Sequence, residues 1–242
     1  MNVDRLFYLE ELGEQSSLIT LSEETAKHVI QVLRMKKGDA LFFTDGKGRT
    51  AKSIIVDDHK KRPQVEIVSI TASDAPPAQF AIAIALTKNA GRFEWFLEKA
   101  TEIGIQQIIP LKTHRTEKQH FRFERMNNIL VSAMLQSQQN YLPQLWEPVH
   151  LAELCENDWV KNEPHKYIAH CINSEKNTFT DRLYQDQKSG LILIGPEGDF
   201  TEEEIQMALE HHFQPVSLGE HRLRTETAGM VAATLMMIGR TK

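Results

Sequence analysis

Over residues 1–72 the apolar positions come in short runs, rich in β-branched and aromatic residues and broken by turn sequences. Ala40–Thr44, residues 52–56 and residues 64–70 read as strands. Gly38-Asp39, Asp45-Gly46-Lys47-Gly48 and residues 60–63 read as the turns between them. One helix is predicted over residues 23–33, where Thr25, Val29 and Val32/Leu33 recur at helical spacing behind Ser22 as N-cap. The pattern predicts a small β-barrel carrying one or two helices. Residues 71–78 are small, polar and proline-rich, which marks a linker.

Beyond the linker the rhythm changes to strand–helix alternation. Residues 80–86 are continuously apolar and lack helix caps, as a strand buried on both faces would be. Residues 92–104 place Phe93, Phe96, Leu97, Ala100 and Ile103 on one face of a helix. Residues 105–111, 167–172, 191–194 and 216–218 read as further strands, and residues 122–139 as a helix. Thr201, with Glu204 three residues later, forms a capping box, and Thr225–Ile238 is an apolar closing helix. This alternation predicts an α/β domain over residues 73–242, with a mostly parallel sheet covered on both faces.

Composition narrows the class. The chain has 242 residues, 41% hydrophobic and 25% charged, enough to build a core without covalent staples. Its two cysteines, Cys155 and Cys171, make neither a disulfide framework nor a zinc site and read as small buried apolar residues of a reducing compartment. No apolar run is long enough to span a bilayer. Residues 1–13 carry three acids and lack a signal-peptide pattern, so a cytoplasmic location is expected. The net charge of -5 argues against nucleic-acid binding only on average. Residues 27–37 hold four basic residues and no acid, and residues 112–125 hold five Lys/Arg against two Glu. Phosphate binding would use such local stripes, and two merely solvated faces would read the same way.

Two predicted strand ends carry unusual sequences, and strand ends are where open α/β sheets bind ligands. The first is Gly195-Pro196-Glu197-Gly198-Asp199, where glycines allow close backbone approach and proline stiffens the turn. A plain βα turn capped by Asp199 or Thr201 would read the same way. The second runs from Leu218-Gly219 through Arg222, Leu223, Arg224, Thr225 and Glu226 into the last helix. An N-cap role for Thr225 does not explain two arginines and a glutamate in one short loop. No dinucleotide fingerprint, P-loop, nucleophile elbow or zinc-protease motif is present. His211-His212 are adjacent and diverge on a helix, so no metal site is expected. His170, at a strand end, is either a core histidine or a pocket wall.

Ile194-Gly-Pro-Glu-Gly-Asp-Phe-Thr201 and Leu218-Gly-Glu-His-Arg-Leu-Arg-Thr-Glu-Thr-Ala228 together resemble the RsmE family of 16S ribosomal RNA uridine N3-methyltransferases, within the SPOUT superfamily. Leu86-Thr-Lys88 with Arg92, Glu94-Trp95 and Lys99 to Gly104 is similar to the family's first strand and helix. Ile109-Pro-Leu111 with Arg115 is similar to its second strand. His28 to Arg34 with Lys37-Gly-Asp39 is similar to its N-terminal PUA-like barrel. The resemblance covers nearly the whole chain, in order. It departs at Ala133-Met-Leu-Gln136-Ser-Gln-Gln139, where Leu135 and Gln139 stand in place of the family's acid and arginine.

The resemblance implies a trefoil-knotted methyltransferase domain behind a PUA-like RNA-binding barrel, a homodimer, and S-adenosylmethionine as cofactor. It implies that His170, Gly195, Pro196, Glu197, Gly198, Leu218, Gly219, Leu223 and Thr225 hold that cofactor. The target it implies is a uridine of 16S ribosomal RNA in the 30S subunit. Chemically, N3 methylation calls for cations near the base, and Arg224 and Arg222 are the candidates, with Glu226 or Glu197 to orient an arginine or accept the proton. Arg34, Lys36, Lys37, Lys88, Arg92, Arg115, Lys118, Arg122 and Arg125 are candidates for RNA contact. The residues alone leave two alternatives open: a related methyltransferase with another RNA target, and a non-catalytic RNA-binding ribosome-assembly protein.

Overall fold

A computed structural model describes residues 6–76, 79–117, 120–172, 176–183 and 189–238. It divides into two compact units. The first comprises residues 1–75 and 134–142, and the second residues 76–133 and 143–242.

The first unit is a five-stranded sheet in the order β1-β3-β4-β5-β2. Its strands are β1 (Leu6–Tyr8), β2 (Leu18–Thr20), β3 (Ala40–Thr44), β4 (Arg49–Asp57) and β5 (Gln64–Ala72). The alternating pattern turns Leu41, Phe43, Ala51, Ile55, Val65 and Ile67 into one core with Val29 and Met35. Register shifts at Lys52/Ser53 and Ile55/Asp57 interrupt the β4–β5 ladder, and such irregularities bend a strand. The predicted helix forms over nearly its expected length, but only its first turn is α-helical. Ser22 caps a single turn, α1 (Glu23–Ala26), its side chain accepting from the Thr25 amide. The chain then continues as a π-helical segment, Lys27–Val32, and ends at Arg34 in a left-handed conformation (φ 53°).

A contiguous division of the chain leaves out one part of this unit. Residues 134–142 belong to it: the Gly48 amide donates to Asn140 O (2.8 Å), the Leu142 amide to Gly46 O (2.8 Å), and the Tyr141 hydroxyl to Ser73 O (2.9 Å). Gly48, at φ 94°, lies directly under the Tyr141 ring, so no side chain fits there.

The second unit is an eight-stranded sheet whose pairings are all parallel. In chain order its elements begin with β6 (Gln79–Ala85), α2 (Ala90–Ile103), β7 (Gln107–Lys112) and α3 (Phe123–Gln136), whose last residues belong to the first unit. β8 (Gln144–Leu145), β9 (Val149–His150), α4 (Leu151–Glu156), α5 (Asp158–Asn162) and β10 (Lys166–Ala169) follow. The remainder is β11 (Asn177–Thr178), α6 (Phe179–Arg182), β12 (Ser189–Ile194), α7 (Glu202–Glu210), β13 (Gln214–Ser217) and α8 (Thr225–Ile238). The sheet order is β11-β13-β10-β12-β6-β7-β8, with β9 also pairing β7. The chain therefore passes from β12 across β10 to reach β13.

β6 and β12 are central and buried on both faces, as continuous apolar runs require. One face is covered by α4, α5 and α7 around Leu154, Phe200, Ile205 and Phe213. α2 and α8 pack together on β6. There Gly229 admits a close approach: a Cβ on it would meet Phe96 at 2.7 Å and Ile84 at 2.8 Å. The capping box at Thr201 and Glu204 is present in both directions. Two expectations need correction. The strand over residues 167–172 stops at Ala169, because Asp199 takes the Cys171 amide out of any ladder (2.7 Å). Cys155 is buried as expected, but Cys171 is exposed.

Candidate active site

β12, β10 and β13 are neighbouring parallel strands, so their carboxyl ends open along one edge. The three segments that follow them enclose a cavity of about 470 Å³, within the usual size of small-molecule sites. Ile194, Gly195, Pro196, Glu197 and Asp199 line it from the first, and His170, Cys171, Ile172 and Lys176 from the second. The third contributes Leu218, Gly219, Glu220, His221, Arg222 and Leu223, with Thr225 and Ala228 from α8.

Three interactions lock these loops together. Asp199, in a left-handed conformation (φ 65°), accepts from the Cys171 amide with Oδ2 and from the Phe200 amide with Oδ1. The Thr225 hydroxyl donates to Gly195 O (3.0 Å), which ties α8 to the β12 turn and explains its burial better than an N-cap role does. Arg222 Nη2 donates to Glu197 O (3.0 Å). Glycine is needed where backbone must approach closely. A Cβ on Gly195 would press on the buried Phe200 ring at 3.0 Å, while Gly219 (φ 142°) has only open space before it. Gly198 is not part of the lining; it packs against Arg115.

Electrostatics divide the cavity. Its deep wall is apolar, with Ile194 and Val216 buried. Its mouth carries Lys176, Asp199, Glu220, His221 and Arg222. Burial, then Lys176, hold the His170 imidazole below its ordinary value against the pull of Asp199. Burial lowers Lys176 as well, opposed by Cys171 and Asp199. Burial raises the Cys171 thiol, with Asp199 adding to it, so this exposed cysteine is not an activated nucleophile.

The remaining sequence-predicted residues disperse. Arg224 is exposed beside the mouth but outside the lining, and among the described residues its side chain has no hydrogen-bond partner. Glu226 turns away from the cavity toward α2, where Arg92 Nε stands 3.6 Å from Oε1 while Oε2 is buried without a partner. Arg115 is committed to the backbone carbonyls of Gly198 and Phe200, and thereby pins the Gly195–Gly198 turn. Lys88 pairs with Glu117 (2.9 Å), and its amide donates to Glu197. Arg125 forms a two-pronged pair with Glu94 (2.7 and 2.9 Å). Arg34, Lys36 and Lys37 are exposed in the first unit and Arg122 in the second; Lys118 lies outside the described residues. Gln139, in the family's arginine position, donates through its amide to Met134 O (3.0 Å) and through Nε2 to Ser137 Oγ (3.0 Å). Sequence reasoning missed Lys176 and the bridging role of Asp199. The second had a signal, since a residue between Gly198 and Phe200 in a tight turn must use its side chain locally. The first had none. No group of three or more metal-ligating side chains is present among the described residues, and no described helix is long and apolar enough to cross a membrane.

A parallel sheet with a cavity built from three strand-end turns and closed by the last helix defines an α/β ligand-binding enzyme domain. Residues 74–237 match the RNA methyltransferase domain family, and residues 21–68 match the RNA methyltransferase PUA domain. A ribosomal RNA small subunit methyltransferase E of Buchnera aphidicola is 30% identical, over 95% of this chain and 91% of the relative. The crystal structure of a "probable rRNA-methyltransferase" from Porphyromonas gingivalis is 35% identical, covers 98% of each chain and superposes with a TM-score of 0.88. A ribosomal RNA small subunit methyltransferase E from Neisseria gonorrhoeae, crystallised with S-adenosyl methionine, is 27% identical over 97% of each chain, with a TM-score of 0.83. The chain belongs to the RNA methyltransferase family of which the ribosomal RNA small subunit methyltransferases E are members.

Proposed function

We propose that this chain is an S-adenosylmethionine-dependent methyltransferase acting on N3 of a uridine in 16S ribosomal RNA of the small subunit. The observation that carries it is the cavity at the ends of β12, β10 and β13. Its donor set fits the cofactor: an apolar slot beside backbone groups suits an adenine, the open backbone at Gly219 forms a cradle, and a mouth of mixed charge suits an amino acid. When bound there, the cofactor supplies an electrophilic methyl group. Gly195, Pro196, Glu197, Leu218, Gly219, Leu223 and Thr225 are the residues that hold it, with His170 as a neutral wall. Gly198 supports them from behind.

The uracil N3 carries a proton and lies on the pairing edge, so the base must leave its pair to react. Glu197, on the cavity lining, is the carboxylate placed to accept that proton, whose loss leaves negative charge on the ring. Arg224, exposed and uncommitted beside Leu223 and Thr225, is the cation free to stabilise it. Arg222 steadies the Glu197 turn, and Glu226 orients Arg92. Arg34, Lys36, Lys37 and Arg122 supply phosphate contacts. The crossing of the chain from β12 over β10 to β13 supports a trefoil thread here. We also propose a homodimer working in the cytoplasm. Half-exposed Trp95 on α2 and Ile238 at the end of α8 support it, and sedimentation should give twice the 27.7 kDa chain mass rather than one.

The test is transfer of tritiated methyl from S-adenosylmethionine to 30S subunits lacking the modification, with the product nucleotide mapped by mass spectrometry. Arg224→Ala should lower transfer about a hundredfold or more while calorimetric cofactor binding persists. Absence of incorporation by the wild type refutes the activity, and full turnover by the variant refutes the role of Arg224.

A further inference from the structure

The mouth of the cavity holds a charge pattern that the pocket as a whole does not explain. Lys176 follows β10 by seven residues and is half-buried. Its ammonium donates to His170 O (2.6 Å) and stands 3.3 Å from His170 Nδ1. An ammonium has three donors, so one remains for a ligand. Asp199, on the same mouth, presents a carboxylate whose two oxygens each accept one backbone amide, from Cys171 and Phe200. A carboxylate has about four acceptor sites, so it too has capacity left. A cation and an anion, each fixed by backbone groups on the edge of one cavity, form the complement of a zwitterion. The other cation of the mouth, Arg222, is spent in part on Glu197 O. The apolar part of the lining, with Ile194, Val216, Leu218 and Leu223, has no charge to offer.

Resting on the cofactor reading above, we infer that Lys176 is a specificity-determining residue. It binds the carboxylate of the methionyl end of S-adenosylmethionine, with Asp199 facing the ammonium of the same end. The adenine then lies against the apolar wall, and the site selects donors with an intact amino acid. The partial burial of Lys176 strengthens such a pair relative to one in open water. Its bond to the His170 carbonyl holds the ammonium in place before the ligand arrives, which lowers the ordering cost of binding.

The test is calorimetry with two ligands, S-adenosylmethionine and its decarboxylated form, which keeps the sulfonium, the adenosine and the amine but lacks the carboxylate. The proteins are the full-length wild type, Lys176→Met and Lys176→Arg. The wild type should prefer the intact cofactor by about tenfold or more, the worth of one charge-assisted hydrogen bond. Lys176→Met should weaken the intact cofactor by that factor and leave the decarboxylated form within about twofold. Lys176→Arg should keep most of the preference. Equal weakening of both ligands by Lys176→Met would mean that the lysine only closes the end of β10, and would overturn the inference. An undiminished preference in Lys176→Met would overturn it too. Both results leave the cofactor reading standing, whereas a wild type that binds neither ligand sinks both.

Discussion

Replacing Gly229 by alanine should destabilise the second unit and loosen its cavity, although glycine-to-alanine changes inside helices ordinarily stabilise. Gly229 lies in the first half of α8 and is buried. Removing glycine from a helix interior gains roughly 0.5–1 kcal/mol in propensity. Against this stands the geometry: the new methyl would sit 2.7 and 3.0 Å from two atoms of the Phe96 ring and 2.8 Å from Ile84 Cδ1. Both neighbours are fully buried and cannot swing into solvent. Overpacking of this kind costs about 1–3 kcal/mol. Setting the packing cost against the propensity gain leaves a net loss of about 0–2.5 kcal/mol, centred near about 1 kcal/mol. Relief would come by moving α8 away from α2 and β6, and α8 carries Thr225 and Ala228 into the cavity. Cofactor affinity should therefore fall along with stability. Urea denaturation followed by circular dichroism measures the first, and calorimetry the second. A variant more stable than the wild type, by the full propensity gain, would refute the close packing of α8.

Two further outcomes follow from the locks on the cavity. Thr225→Val removes the hydroxyl that ties α8 to Gly195 O, and should cost about 1 kcal/mol in stability with a matching loss of cofactor affinity; unchanged affinity by calorimetry would show that this tie does not shape the pocket. His170, held below its ordinary value of 6.5 first by burial and then by Lys176, binds its proton less readily folded than unfolded. Its folded state is therefore penalised as pH falls through 6.5, and the penalty is complete once pH drops below the folded value. His170→Asn should show a shallower loss of stability between pH 7.5 and 5.5 in denaturant titrations, and parallel curves for the two proteins would refute this.

What the sequence made legible was whatever depends on near neighbours. The apolar runs of β6 and β12 stand alone as buried strands, and the Thr201–Glu204 capping box needs only four consecutive residues. The cavity turns were visible as glycine-bearing strand ends for the same reason. What stayed hidden depends on distant partners. Residues 144–162 form two two-residue strands and two short helices, each too brief for a period to register; Leu151, Leu154, Cys155 and Val160 are fixed there by packing against the sheet. Residues 134–142 join the first unit through bonds from Gly46, Gly48 and Ser73, which no local pattern announces. The cations teach the sharper lesson. Arg115, Lys88 and Arg125 read as RNA contacts in the sequence, Arg115 and Arg125 within a basic stripe. In the fold two of them face carboxylates more than 25 residues away, and Arg115 braces the Gly198–Phe200 turn. A stripe of charge states how many cations a surface has, but only their partners decide which remain free. By that criterion Arg224 stays uncommitted beside the cavity, as the proposed contact with the base requires, and Arg115 becomes a support for the Gly198–Phe200 turn.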